Sequence, residues 1–242
     1  MLKHKHIKLF KIEYDAVCTI SKRLNKFVVE VVVNGQNTYA YINNTGKLKY
    51  LIEKGKKGYC MRRIGKGSTK YRLFAIEYNK LASLIDTKIQ ENTFAYMVNN
   101  SLLPWLNNCK ILKSNIKIDN NILDFVIECS NGRIIYTELK SAILVDENNI
   151  AMYPDCPSIR GRKHIAKLIE LRQQGYGALL VFIVALPGAK AFTPNKNIDP
   201  LIHNLIMEAI RNNVIVKSVS IYYDPKTMFV MLDNPELPII LN

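Results

Sequence analysis

The chain has 242 residues, 48% of them apolar, with 34 Lys+Arg against 20 Asp+Glu and a formal net charge of +14. Such a composition excludes a disordered chain, and the longest apolar run, Ala178 to Leu186, falls well short of the roughly 20 residues that a bilayer span needs. The charge is uneven: residues 1–83 hold 18 Lys+Arg and 5 Asp+Glu, a net of +13, whereas residues 84–242 hold 16 and 15, a net of +1. This shift divides the chain into an expected basic domain, 1–83, and an expected second domain, 84–242. A basic domain of this strength predicts a polyanionic partner, with nucleic acid ahead of an anionic membrane surface. Met1 to His6 carries no apolar core of signal-peptide type.

The first domain reads as strands. Phe27 to Val33 is a β-branched alternating run, Asn34-Gly35 is a turn signal, and Thr38 to Ile42 is the return strand. Lys47 to Ile52 is expected to be a short helical piece. Tyr59 to Ile64 and Tyr71 to Tyr78 form a second strand pair across Gly65-Lys66-Gly67. Short strands in about 80 residues suit a small OB-like β-barrel, a fold that binds oligonucleotides on a face of basic and aromatic side chains. Tyr39, Tyr41, Lys47, Lys49, Arg62, Arg63, Lys66, Lys70 and Arg72 are the candidates for that face. The plain alternative is a solvated basic surface with tyrosines packed at strand ends.

The second domain alternates helices and strands. Ile89 to Leu103 is expected to be a helix ended by Pro104, and Ile111–118, Leu123–129 and Ile134–141 are expected strands. Ser158 to Gln174 is an amphipathic helix stopped by Gly175, and Ala178 to Leu186 is a strand buried on both faces. Asp199-Pro200 opens a helix that runs to about Asn212, and Val214 to Tyr223 is the last strand. The order describes an α/β layered domain with a mixed central sheet. The five Cys residues, at 18, 60, 109, 129 and 156, include no CxxC and no zinc-ligand spacing. They read as reduced structural thiols of a cytoplasmic protein.

The sharpest chemical signal is Asp124 followed by Glu138-Leu139-Lys140. Ser130-Asn131-Gly132 fits a three-residue hairpin loop with Gly132 in the left-handed conformation. A symmetric hairpin closed by that loop sets Val126 opposite Tyr136 and Asp124 opposite Glu138. Strand period then puts Lys140 on the face of Glu138. Two facing carboxylates repel unless a positive charge lies between them, and Mg²⁺ or Mn²⁺ with oxygen ligands is the natural occupant. Asp124, Glu138 and Lys140 are therefore the candidate catalytic trio, with Asp124 and Glu138 as metal ligands. This is the arrangement of PD-(D/E)xK phosphodiesterases, and the same three residues also fit a salt bridge at a strand edge.

Longer stretches carry a family resemblance. Asn43-Asn44-Thr45-Gly46-Lys47-Leu48, Leu123-Asp124-Phe125, Thr137 to Ser141 and the run Tyr153 to His164 resemble segments of the sugar fermentation stimulation protein family, SfsA. The resemblance spans nearly the whole chain. It implies an OB-like N-terminal domain, a restriction-endonuclease-like α/β domain of PD-(D/E)xK type, and DNA binding. It also implies that Asp124, Glu138 and Lys140 form the catalytic trio and that Asn92 reaches the site. Ile159 stands where the family usually carries Glu, so that position supplies no acid.

Arg160, Arg162, Lys163 and His164 begin the helix after the trio hairpin, where a helix N-terminus attracts phosphate. Arg160 or His164 would touch a phosphate, or His164 would pack against the sheet. Asp155 fits a third metal ligand, a helix-start acid or a turn residue. Glu91 and Asn92 are weaker candidates from the preceding helix, and His4, His6 and His203 have no ligand spacing. The expected function is a divalent-metal-dependent DNA endonuclease, with single- and double-stranded DNA both open as substrates and pairing with a second copy of the chain left open. The alternative is a non-cleaving DNA-binding regulator of sugar-metabolism genes.

Overall fold

The computed structural model describes residues 6–64 and 67–241. His4, Lys66 and the expected turn at Gly65-Lys66 therefore lie outside the described residues. The first strands are β1 (Ile7–Lys11), β2 (Ala16–Arg23), β3 (Val28–Val33), β4 (Gln36–Tyr41), β5 (Lys57–Arg62), β6 (Tyr71–Tyr78) and β7 (Leu81–Leu84). Helix α1 (Thr87–Asn99) precedes β8 (Cys109–Ile118), β9 (Asn121–Cys129), β10 (Ile134–Ser141), β11 (Leu144–Val145) and β12 (Ile150–Tyr153). Then come α2 (Ile159–Gln173), β13 (Gly177–Val184), β14 (Ala191–Pro194), α3 (Pro200–Arg211), β15 (Ile215–Asp224) and β16 (Phe229–Asn234). No described helix is long and apolar enough to cross a membrane.

The chain forms two compact units. The first comprises Met1–Gln90, Ala185–Gly188 and Ile221–Asp233, and the second comprises Glu91–Val184, Ala189–Ser220 and Asn234–Asn242.

In the first unit, β2, β3, β5 and β6 pair with antiparallel neighbours, and β4 joins antiparallel β3 to parallel β6. The sequence of neighbours β2-β3-β4-β6-β5-β2 closes a five-stranded barrel of OB type. Strand period explains the inside: Val29, Val31 and Val33 of β3 are buried while Val28, Glu30 and Val32 are half-buried. The β3–β4 turn uses Asn34 and Gly35, both at positive φ, as a tight hairpin requires. Lys47 to Ile52 is not helical. The amides of Leu51 and Ile52 both donate to the Leu48 carbonyl, giving a single turn, while Arg23 holds the carbonyls of Gly46 and Lys47 from outside. Around the barrel, β7 pairs with β6 and with Tyr223 of β15, and β16 pairs with β1. Tyr223 is fully buried against Phe74 and Tyr59, and its hydroxyl donates to the Ile12 carbonyl at 2.6 Å. Val214 to Tyr223 is therefore not the last strand, because β16 follows it.

In the second unit, β8, β9 and β10 are antiparallel, and β10, β13 and residues 215–220 of β15 are parallel, so the sheet is mixed. Helices α2 and α3 are the crossovers that parallel pairing demands. All eight residues of β13 are buried, as its uninterrupted apolar run predicts. Ser158 caps α2 by accepting from the Gly161 amide at 3.0 Å, and Asp199 caps α3 by accepting from the Ile202 amide at 3.1 Å. Gly175 ends α2 at a φ of 92°. The short sheet β11-β12-β14 lacks a sequence signal and was not expected. Helix α1 ends at Asn99, ahead of Ser101 at positive φ, rather than at Pro104, which instead starts a 3₁₀ turn.

The cysteines depart from the all-reduced expectation. Cys109 and Cys129 lie directly opposite on β8 and β9 and are joined as a disulfide. Their pairing depends on a strand register that Cys spacing alone does not reveal. Cys18 and Cys60 are buried thiols in the barrel, with sulfurs 3.3 Å apart.

Candidate active site and nucleic-acid face

The hairpin of β9 and β10 follows the register its loop predicts. Ile134 faces Glu128, Tyr136 faces Val126 and Thr137 faces Phe125, with Gly132 at a φ of 76°. One step further, the Leu139 amide donates to Asp124 Oδ2 at 2.7 Å. Asp124 thus lies beside Glu138 and Lys140 at the end of a hairpin whose neighbouring Leu123 and Phe125 are buried.

Glu138 is the hub. Only 3% of its side chain is exposed, and its Oε1 accepts from Lys140 Nζ at 2.5 Å and lies 2.5 Å from His164 Nδ1. Its Oε2 is also buried and finds no hydrogen-bond partner among the described residues. Burial alone would raise the Glu138 carboxyl, but the Lys140 and His164 contacts hold it below the usual carboxylate range. Burial would likewise lower Lys140, and the Glu138 charge beside it raises it instead. The Leu139 amide and the Lys140 charge pull the Asp124 carboxyl down, but burial first and the Glu138 charge second outweigh them and push it up to about 7.

These residues fit a hard divalent cation. Burial and the neighbouring Glu138 charge disfavour the ionised Asp124 carboxyl, and Glu138 carries a buried oxygen with no partner among the described residues. Among the described residues no group of three or more His, Cys, Asp or Glu side chains forms a metal cage. The remaining ligands of a cation there would be water or substrate oxygens.

The supporting candidates separate. His164 is buried on α2 and meets Glu138. Arg160, one turn earlier and exposed, donates from Nε to His164 Nε2 at 3.4 Å. Arg162 instead donates to the Asp199 carboxylate at 3.1 and 3.2 Å, which ties α2 to the start of α3. Asp155 lies in a bend, half-buried, in keeping with the turn reading. Asn92 is exposed on α1 and has no hydrogen bond or ion pair with the trio among the described residues. Its neighbour Glu91 is the residue of α1 whose charge is felt at Asp124. Glu91 precedes Phe94 by three positions on α1, and the Phe94 ring packs 5.8 Å from that of Phe125, the residue after Asp124. Tyr153 is a residue that sequence reasoning missed. Burial raises its hydroxyl, which feels the Lys140 charge and shares a hydrogen bond with Ser158.

The barrel candidates also separate. Tyr39, Lys47, Lys49, Arg62, Arg63 and Lys70 are exposed. The Arg63 guanidinium lies 4.7 Å over the Tyr41 ring, and exposed Phe27 is stacked 6.4 Å from that ring. Arg63 and Lys70 are further joined by a backbone hydrogen bond, and Lys70 by another to Tyr39. Arg72 is different. It clasps Asp86 with two hydrogen bonds, one of 2.6 Å, and Asp86 has no exposed side-chain surface.

The fold therefore combines an OB barrel with a restriction-endonuclease-like α/β unit built on a mixed sheet. Residues 22–85 match the SfsA N-terminal OB domain, and residues 88–227 match the sugar fermentation stimulation protein RE domain. A sugar fermentation stimulation protein homolog of Archaeoglobus fulgidus is 40% identical over 97% of this chain and 100% of its own length. That of Pyrococcus furiosus is 38% identical over 90% of this chain and 94% of its own. A solved structure of Pyrococcus furiosus SfsA in complex with Ca²⁺ superposes with a TM-score of 0.91 at 36% identity, covering 97% of this chain and 99% of that one. This chain belongs to the SfsA family.

Proposed function

We propose that this protein binds DNA and cleaves it as a divalent-metal-dependent phosphodiesterase, with binding charge concentrated in residues 1–83 and the cutting site in residues 84–242. The observation that carries the reading is the pairing of Asp124, pushed up to about 7, with Glu138, whose buried Oε2 lacks a partner. A cation between them would relieve both. The Ca²⁺ complex of the Pyrococcus furiosus relative supports a hard-cation site, and Mg²⁺ or Mn²⁺ is the working ion assigned here. Such an ion, when bound, polarises a phosphate oxygen and acidifies water.

The protein's own groups do the rest. Asp124 and Glu138 would hold the cation through carboxylate oxygens. Lys140, held on Glu138, keeps a fixed positive charge beside them that can orient water or offset charge growing on the scissile phosphate. Lys47, Lys49, Arg62, Arg63 and Lys70 would contact phosphates, and Tyr41, beneath Arg63, would add a stacking surface.

The test is nicking of supercoiled plasmid and of single-stranded oligonucleotide with Mg²⁺ or Mn²⁺, alongside Asp124→Ala and Lys140→Ala. Cation-dependent cutting lost in both variants supports the proposal. DNA binding without cutting by any version would replace it with the non-cleaving regulator.

A further inference from the structure

The hydrogen bonds of Glu138 are unevenly shared. Oε1 meets both Lys140 Nζ and His164 Nδ1 at 2.5 Å, while Oε2, equally buried, meets no donor among the described residues. A buried carboxylate ordinarily satisfies both oxygens. Here every donor in reach is gathered on one of them.

The His164 ring has a defined role in that arrangement. Arg160 Nε donates to His164 Nε2 at 3.4 Å, so Nε2 supplies a lone pair and the ring proton sits on Nδ1. Nδ1 is the nitrogen facing Glu138, so His164 donates to Oε1. The two helix residues are four apart, on one face of α2. The buried imidazole is planar and directional, whereas the Lys140 ammonium is a rotating point charge on a flexible stem. Carboxylate rotation about its last bond is broad and soft, so a directional donor is what fixes its plane.

We propose that His164 is a positioning residue: by gripping Oε1 it fixes the Glu138 carboxylate with Oε2 presented to the divalent cation, and Arg160 sets the ring tautomer that this requires. His164 then does not bind phosphate. The inference rests on Asp124 and Glu138 being the cation ligands.

The test is calorimetric titration of the full-length protein with Mn²⁺ and Ca²⁺, with metal-free thermal melts of each variant. Asp124→Ala probes the underlying reading, while His164→Leu, His164→Asn, His164→Gln and Arg160→Ala probe the inference. His164→Leu should weaken cation binding by about 10–100-fold. His164→Asn, whose amide nitrogen can stand where Nδ1 stood, should keep most of the wild-type affinity, and His164→Gln should not. Arg160→Ala should weaken binding slightly with an unchanged melting temperature. Equal affinity in wild type and His164→Leu would overturn the inference and leave the reading standing. If His164→Leu does not fold, equal affinity of the Asn and Gln variants overturns it. No cation binding by wild type, or wild-type affinity in Asp124→Ala, would instead remove the reading beneath it.

Discussion

The Asp124 carboxylate accepts a hydrogen bond from the Leu139 amide at 2.7 Å, and Leu139 lies between Glu138 and Lys140. An acid on one strand is thereby tied to the backbone that carries the other two members of the trio. Asp124 cannot rotate away from Glu138 without losing that bond. The burial and, after it, the Glu138 charge that raise its carboxyl are both built into the hairpin.

A first prediction follows from that carboxyl. A cation must displace a proton from Asp124 wherever the pH lies below about 7. Mn²⁺ affinity should climb as pH rises through about 7, and titrations in buffers of different ionisation enthalpy should detect proton release. Stability without metal has the opposite trend. The raised carboxyl contributes fully below its unfolded value of 3.8, and the contribution is lost as pH rises through about 7. Asp124→Asn should flatten urea-melt stability across that window. Equal slopes for wild type and variant would rule this out.

Lys140→Ala should abolish cutting and also destabilise the protein, because Glu138 keeps only His164 as a donor. Removing one partner of a buried ion pair costs about 3 kcal/mol. The double variant Lys140→Met with Glu138→Gln, which removes both charges, should recover part of that loss. Chemical denaturation reads both effects.

Arg72 and Arg63 should behave differently although the sequence treats them alike. Arg72 is bound to buried Asp86, which also accepts from the Lys88 and Ile89 amides at the start of α1. Arg72→Ala should therefore lower stability, by about 2 kcal/mol for a partly exposed member of such a pair. Arg63→Ala and Lys70→Ala should leave the melting temperature nearly unchanged. Each should reduce the magnitude of the log–log salt slope of DNA binding by about 0.9. A flat slope for the wild type would contradict the phosphate-binding role.

Gly161→Ala should destabilise although alanine favours helix. A Cβ there would lie 2.6 Å from the Tyr153 hydroxyl and 2.9 Å from Ser158 Oγ. Crowding of this kind costs about 1–3 kcal/mol, more than the ~1 kcal/mol that helix propensity returns. Tyr153→Phe in the Gly161→Ala background should restore much of the loss by removing the oxygen. Thermal melts of the single and double variants decide it.

Local signals carried the trio. The three-residue loop with Gly132 sets the β9–β10 register, and period two then aligns Glu138 with Lys140. Ser158, Gly175 and Asp199 marked the helix ends because capping is decided within a few residues. The pairing of β1 with β16 was not legible, since Ile7 and Leu232 meet only through tertiary structure. The short β2 run, Ala16 to Arg23, is broken by polar and charged residues and lacks the β-branched density of β3. His164 looked like a phosphate ligand or a core residue, and its contact with Glu138 depends on how α2 lies over β10. The exposure of Asn92 and the action of the Glu91 charge on Asp124 likewise depend on how α1 packs, which no local signal sets.

The first unit is assembled from three stretches of chain, the last ending at Asp233. During synthesis, therefore, the barrel strands can emerge and pair while β1 still has no partner and the place of Tyr223 beside Phe74 is vacant. That edge closes only after residues 221–233 have left the ribosome. The unit that holds the barrel is thus completed only after most of the second unit has been translated.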